Sequence, residues 1–265
     1  MSRITESFLN EAIARQFARQ GLGDFSSLWN LRLDWFEPVN ERRDGWSGVS
    51  RYVLPGIQPL QMFIKRQQNH NTRQLLHPIR GVPTFRREYR SIQLCRSHDI
   101  PTLTPLYFGE RHIDNKDQAI LITLALKGYS SLFDWYHNVA PAQPEITIRW
   151  VLKNIARIIR RLHDQGFAHC CLYPKHIFVR TNDPTTRTPD SDPELIRLID
   201  LEKVRWHPVN HVRRFRDLDC FMRHAQGFAL LHLHYLLDCY FSEGLVPGGR
   251  RLHQRLLETI PALPG

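Results

Sequence analysis

Four groups of side chains, spread along the chain in a fixed order, are suited to handling phosphate and a metal ion. Gly45-Trp46-Ser47-Gly48 reads as a turn between two strands, where glycines let backbone approach phosphate oxygens closely. Lys65 ends the apolar run Met62-Phe63-Ile64, and an ammonium leaving a strand can hold phosphate oxygens if a carboxylate such as Glu88 orients it. The segment His169-Cys170-Cys171-Leu172-Tyr173-Pro174-Lys175-His176 packs imidazoles and thiols into eight positions. Asp200 ends the apolar run Leu198-Ile199, and a carboxylate at a strand end suits Mg2+, which takes oxygen ligands from one or two carboxylates and from the nucleotide. Each group has a plain counterpart: a hairpin turn, a solvent-facing lysine, a structural thiol pair, a turn-forming aspartate. Their order makes coincidence less economical than a shared task.

The elements around them follow from periodicity. Residues 2–33 read as helical, with Phe8, Leu9, Ala12, Ile13 and Phe17 at helical spacing. Trp35 to about Leu54 reads as two strands around a turn at Asp44-Gly45, and Leu60 to Lys65 as a third. Residues 66–83 are polar, are broken by Pro78, Gly81 and Pro83, and read as a connection. Thr84 is placed to cap a helix running to about Ser97, which carries Glu88. Strand-like runs Leu103–Phe108 and Ala119–Leu124 close this β-rich part. Glu145 to Gln165 carries Trp150, Val151, Ile155, Ile158, Ile159 and Leu162 on one helical face, and Gly166 stops it. The loop His169–His176 leads to a strand at Ile177–Val179, residues 181–194 form an excursion, and Leu195–Ile199 is a strand ending on Asp200. The expected organisation is an extension over 1–33, a β-rich part over 34–126 and a helical part over 127–265.

Bulk properties narrow the classes. With 42% hydrophobic and 23% charged residues, the chain has the composition of a soluble globular protein. Its start is polar, and the most apolar stretch, Gly227 to Phe241, holds His232, His234 and Asp238 and falls short of the roughly 20 residues of a membrane span. A buried helix and a cytoplasmic protein are expected. The five cysteines are odd in number and form no C-x-x-C pair, against a disulfide framework or structural zinc. A net charge of +10 suits acidic partners or a solvated basic surface. Nucleic acid is the weakest partner reading, since the paired arginines come without an RNA-binding motif or zinc-finger spacing.

Arg43-Asp-Gly-Trp-Ser-Gly-Val49, His77-Pro78 with Gly81-x-Pro83-Thr84-x-x-Arg87-Glu88, Asp134-Trp135-Tyr136, the loop His169 to Val179, and Asp200-Leu-Glu-Lys203 together resemble the Kdo/WaaP lipopolysaccharide-kinase superfamily, and within it the InaA-like branch. The resemblance spans about residues 36–220 and implies an α+β, two-lobed protein-kinase-like fold with a small β-rich N-lobe and a helical C-lobe. It implies ATP and Mg2+ as cofactors and a sugar hydroxyl of lipopolysaccharide core, or another anionic sugar, as acceptor. It is compatible with peripheral contact at the inner membrane. By position, Gly45, Trp46, Ser47 and Gly48 cover the phosphates; Lys65 holds the α- and β-phosphates with Glu88 as its ion-pair partner; Leu124 to Gly128 form the hinge beside adenine; and Asp200 and His176 bind the metal. Lys65 and Asp200 are then expected to serve one cleft.

One position departs from the pattern. His169 matches the histidine of the kinase H-R-D motif, but Cys170 stands at the arginine and Cys171 at the aspartate that takes the acceptor's proton. An ordinary thiol, with a pKa of about 8.5, is a poor base beside phosphates. Losing a positioned base costs about 10²–10⁴-fold, whereas phosphoryl transfer depends mainly on positioning and charge. The pair Cys170-Cys171 also admits structural, redox and metal-binding readings. Two functions remain open: an ATP-dependent kinase of a small or glycolipid hydroxyl, or a nucleotide-binding pseudokinase serving stress response or interaction. The 65 residues after Asp200 are too few for the late helices of protein-substrate kinases, which favours a small acceptor.

Overall fold

A computed structural model describes residues 3–42, 45–74, 77–181, 194–207, 211–242 and 249–259. The chain divides into two compact units, one of residues 1–93 and 103–126, the other of residues 94–102 and 127–265.

The first unit is built on strand β1 (Arg3–Phe8), helices α1 (Glu11–Ala18) and α2 (Phe25–Asn30), strands β2 (Asn40–Arg42), β3 (Gly45–Leu54), β4 (Leu60–Gln68), β5 (Asn71–Gln74) and β6 (His77–Pro83), helix α3 (Thr84–Ser97), and strands β7 (Pro105–Ile113) and β8 (Lys116–Leu124). Six strands form an antiparallel sheet in the order β1-β7-β8-β4-β3-β2. Alternation along β4 assigns its faces. Met62 and Ile64 are buried with Ile120 and Ile122 of β8 against Phe17, Phe25 and Leu28 of α1 and α2. Each such side chain contributes about 1.5–3 kcal/mol on burial, so the first two helices clamp this sheet face. Arg66 lies on the same face, buried, and its guanidinium donates to the carbonyls of Trp29 (3.0 Å) and Leu31 (2.7 Å) at the C-terminal end of α2. That end carries partial negative charge, which offsets the cost of burying the cation. Phe63, Lys65 and Gln67 therefore point to the other face, where α3 lies.

Several expectations change. Residues 3–8 are a strand, not helix: they pair with β7 in register from Arg3↔His112 to Phe8↔Tyr107, and helix starts only after Asn10, whose side chain accepts from the Ile13 amide (2.9 Å). The sheet edge offered by β7 outweighs the apparent helical spacing of Phe8 and Leu9. Residues 66–83 are not a simple connection. β4 continues through Gln68, and β5 and β6 form a hairpin. The polar residues Arg66 and Gln67 are buried with partners, so polarity misreports them as loop. The hydroxyl of Thr84 donates to the His70 carbonyl (2.9 Å) instead of capping α3; Gln67 Oε1 accepts from the Phe85 amide (2.8 Å) in its place. Gly45 to Gly48 are not a turn but the start of β3, paired with β2 and β4. Arg43 and Asp44 lie outside the described residues.

The second unit holds β9 (Tyr129–Ser131), α4 (Leu132–Asn138), α5 (Glu145–Asp164), β10 (Phe167–Ala168), β11 (Ile177–Arg180), β12 (Ile196–Leu198), β13 (Arg205–Trp206), α6 (His211–Arg223), α7 (Leu230–Ser242) and α8 (Gly249–Thr259). Its core forms where the α5 face Val151, Leu152, Ile155, Ile159 and Leu162 meets Leu233, Leu236, Leu237 and Tyr240 of α7. Gly166 ends α5 with φ +80°, and an added Cβ would meet the Trp206 indole at 2.8 Å. Two short antiparallel sheets, β10-β13 and β12-β11-β9, bracket the loop His169–His176. The 181–194 excursion lies outside the described residues over 182–193. No helix of the described residues is long and apolar enough to cross a membrane.

Candidate active site

In the first unit, Lys65 Nζ donates to Glu88 Oε1 at 2.6 Å. The pair is half-sheltered, the lysine keeping 20% and the glutamate 2% of side-chain exposure. Strand pairing sets the lysine: β4 runs between β3 and β8, with Lys65 opposite Val49 and Leu121. Gln67, two residues on and facing the same way, bridges the His70 carbonyl and the first turn of α3. This amide fixes where α3 starts, and Glu88 follows one turn later. The glycines beside Lys65 have packing duties. An added Cβ at Gly45 would lie 2.5 Å from the Asn69 backbone, and at Gly48 2.6 Å from the Trp35 ring. Leu124 ends β8, its amide bonded to the Thr104 carbonyl, two residues before the boundary of the unit.

In the second unit, the loop is pinned from several sides. Asp217 on α6 is 2% exposed, and its carboxylate accepts from the amides of His169 (2.6 Å) and Cys170 (2.8 Å) and from His163 Nε2 (3.1 Å). Burial alone would push this carboxyl up; the bond and charge of His163, with the His169 amide, hold it below the ordinary aspartate range. The two amides secure the left-handed backbone of Cys170 (φ +63°), a conformation a cysteine rarely adopts. His169 Nε2 donates to the Ile199 carbonyl (3.0 Å), tying the loop to the residue before Asp200, and burial pulls its imidazole below the ordinary histidine range. Asp200 is itself left-handed, φ +57° and ψ +51°, so the chain turns sharply into the Leu201–Lys203 turn.

His176 Nδ1 donates to the Cys171 carbonyl (2.9 Å). Its Nε2 then carries the lone pair of a neutral ring and faces Asp200 Oδ2 at 3.4 Å. Burial holds this imidazole below its ordinary range. Two acceptors directed at one another are the beginnings of a cation site. Among the described residues no group of three His, Cys, Asp or Glu donors gathers for a metal. An ion held by His176 and Asp200 would therefore take its other ligands from phosphate and water, the habit of Mg2+; the imidazole donor suits Mn2+ equally.

Cys171 is buried, and its Sγ accepts from Lys203 Nζ at 3.2 Å. Bonding to the sulfur holds the ammonium above the ordinary lysine range. Lys65 meets Glu88 in the first unit, and His169, Cys171, His176 and Asp200 gather in the second. Gln67 and Asp217 were not anticipated, nor was a role for Lys203. An aspartate in the arginine-rich stretch His211–Arg223 looks like a solvated charge until its partners are known.

Comparison with known proteins gives a fold neighbour, a relative and a family. The WaaP structure solved in complex with acyl carrier protein covers 97% of this chain and 99% of its own, at a TM-score of 0.65 and 19% identity, which establishes a shared fold. Protein InaA of Escherichia coli (strain K12) is 31% identical over 161 residues, 60% of this chain and 72% of that protein. The family model described as the lipopolysaccharide kinase (Kdo/WaaP) family matches residues 26–240. With four-fifths of its length matched, the chain belongs to the lipopolysaccharide kinase (Kdo/WaaP) family.

Proposed function

We propose that this protein is an ATP-dependent phosphotransferase whose acceptor is a sugar hydroxyl of lipopolysaccharide core or a related anionic sugar. The observation that carries the proposal is the Lys65–Glu88 pair at 2.6 Å, an ammonium preset for phosphate on a strand beside the Gly45–Gly48 segment. Leu124 contributes to the adenine contact, and His176 with Asp200 hold the divalent ion of the same nucleotide. Bound Mg2+ would neutralise charge on the β- and γ-phosphoryl oxygens. The chain's residues supply the rest: Asp217 and His169 keep the loop rigid, and Lys65 fixes the phosphates. The net charge of +10 suits an anionic acceptor, in the cytoplasm or at the inner membrane surface.

Cys171 supports a second reading, a nucleotide-binding pseudokinase serving as an interaction or stress-response module, since a buried thiol replaces the customary base. One assay separates them. The protein is incubated with radiolabelled ATP, Mg2+ and core lipopolysaccharide, with Lys65→Ala as control. Transfer above the control is expected. Nucleotide-dependent thermal stabilisation without transfer would favour the pseudokinase.

A further inference from the structure

The group facing the loop where a kinase keeps its base is a cation. Lys203 Nζ touches Cys171 Sγ at 3.2 Å, reaching it from the Leu201–Lys203 turn that follows the left-handed Asp200. The turn is fixed on both sides: the Ile199 carbonyl is held by His169 Nε2, and the Val204 amide bonds the Leu201 carbonyl (3.1 Å). The lysine is solvent-exposed, and its one hydrogen bond among the described residues goes to sulfur. Sulfur is a weak acceptor, and an ammonium has three donors. Two N–H groups therefore remain for anionic oxygens beside His176 and Asp200. Relative to a carboxylate at position 171, which would neutralise this ammonium, the local charge changes from neutral to positive.

We infer that Lys203 is the cation that stabilises the transferring phosphoryl group, doing from within the chain what an added arginine does in other phosphoryl-transfer enzymes. The inference rests on the kinase reading proposed above. The acceptor oxygen bonds to the γ-phosphorus, the bond from that phosphorus to the bridging oxygen breaks, and ADP leaves with the electron pair. The hydroxyl proton passes to a γ-phosphoryl oxygen and on to water, with no side chain taking it. In a loose transition state the charge on the phosphoryl oxygens matters more than early loss of the proton. Cys171 is then a compact sulfur acceptor that steers the ammonium.

The test uses wild type, Lys203→Met, Lys203→Arg and Cys171→Asp, with thermal shifts in Mg2+·ADP and in Mg2+·ADP plus aluminium fluoride. ADP should stabilise all four. Aluminium fluoride, a mimic of the transferring phosphoryl group, should add a further shift in wild type, most of it in Lys203→Arg, and none in Lys203→Met. Transfer by Lys203→Met should fall about 10²–10³-fold, the effect of deleting one charge-stabilising group. Cys171→Asp, whose new carboxylate would capture the ammonium, should gain nothing. An unchanged fluoride shift in Lys203→Met, no fluoride shift in wild type, or a gain of transfer in Cys171→Asp would each overturn the inference while leaving nucleotide binding intact. No ADP shift in wild type would overturn the kinase reading and this inference with it.

Discussion

Replacing Lys65 by methionine removes an ammonium 2.6 Å from a carboxylate that keeps 2% of its surface in solvent. Breaking a buried pair from one side costs about 3–5 kcal/mol, because the remaining charge is left uncompensated. Lys65 retains 20% exposure. Water therefore screens one side of the pair, and the expected loss lies at the lower end, about 3 kcal/mol. For a unit of this size that lowers Tm by on the order of 10 °C. Removing both charges, Lys65→Met with Glu88→Leu, should return stability to within about 1 kcal/mol of wild type, as apolar replacement of buried pairs commonly does. Denaturant titration of wild type, both single variants and the double variant, without nucleotide, gives the cycle. ATP supplies the functional half: at 100 times Kd it should stabilise wild type by about 2.7 kcal/mol and the other three by far less. A Lys65→Met cost below about 1 kcal/mol would mark the pair as a solvated contact of ordinary surface strength. A double variant that kept the full ATP shift would refute the role of the lysine.

Other substitutions test the scaffold. Asp217→Asn keeps the shape but offers one acceptor oxygen where two are used, orphaning an amide of His169 or Cys170 at a cost of about 1–3 kcal/mol. The Asp217 carboxyl is held below its ordinary range in the fold, so its stabilisation is present above the unfolded value and lost as pH falls below about 4. The wild-type and Asp217→Asn stability curves, measured by denaturant titration, should therefore converge on acidification; a constant gap would contradict this. Gly45→Ala should cost more than Gly48→Ala, because its methyl meets the Asn69 backbone, whereas Gly48 faces the Trp35 ring, 39% exposed and able to swing aside. Melting temperatures in the order wild type, Gly48→Ala, Gly45→Ala are expected.

The parts legible in the sequence were those where a local pattern and the tertiary context agree. The one-sided apolar face of Glu145–Asp164 is a helix whose face is buried, and the apolar run before Lys65 is a strand that aims it at Glu88. Legibility failed where polar side chains are buried with partners supplied from far away. Arg66 finds its acceptors in α2, and Gln67 serves α3, so the end of β4 reads as loop. Phe8 reads as helix in the sequence because its edge strand takes its stability from β7, about a hundred residues distant. The candidate site residues rest on order along the chain and on resemblance. The residues that hold them, Asp217 and Gln67, were hidden because neither charge nor spacing reveals which backbone amides a carboxylate or a carboxamide will meet.

The proposed function requires Lys65 and Asp200 to act on the same ATP and its metal. Isothermal titration of ATP into wild type, Lys65→Met and Asp200→Asn, each with and without Mg2+, tests it most directly. The account predicts one ATP per chain in wild type, strengthened by Mg2+, weakened in Lys65→Met, and made indifferent to Mg2+ in Asp200→Asn. ATP binding that neither substitution alters, or no binding at all, would contradict it.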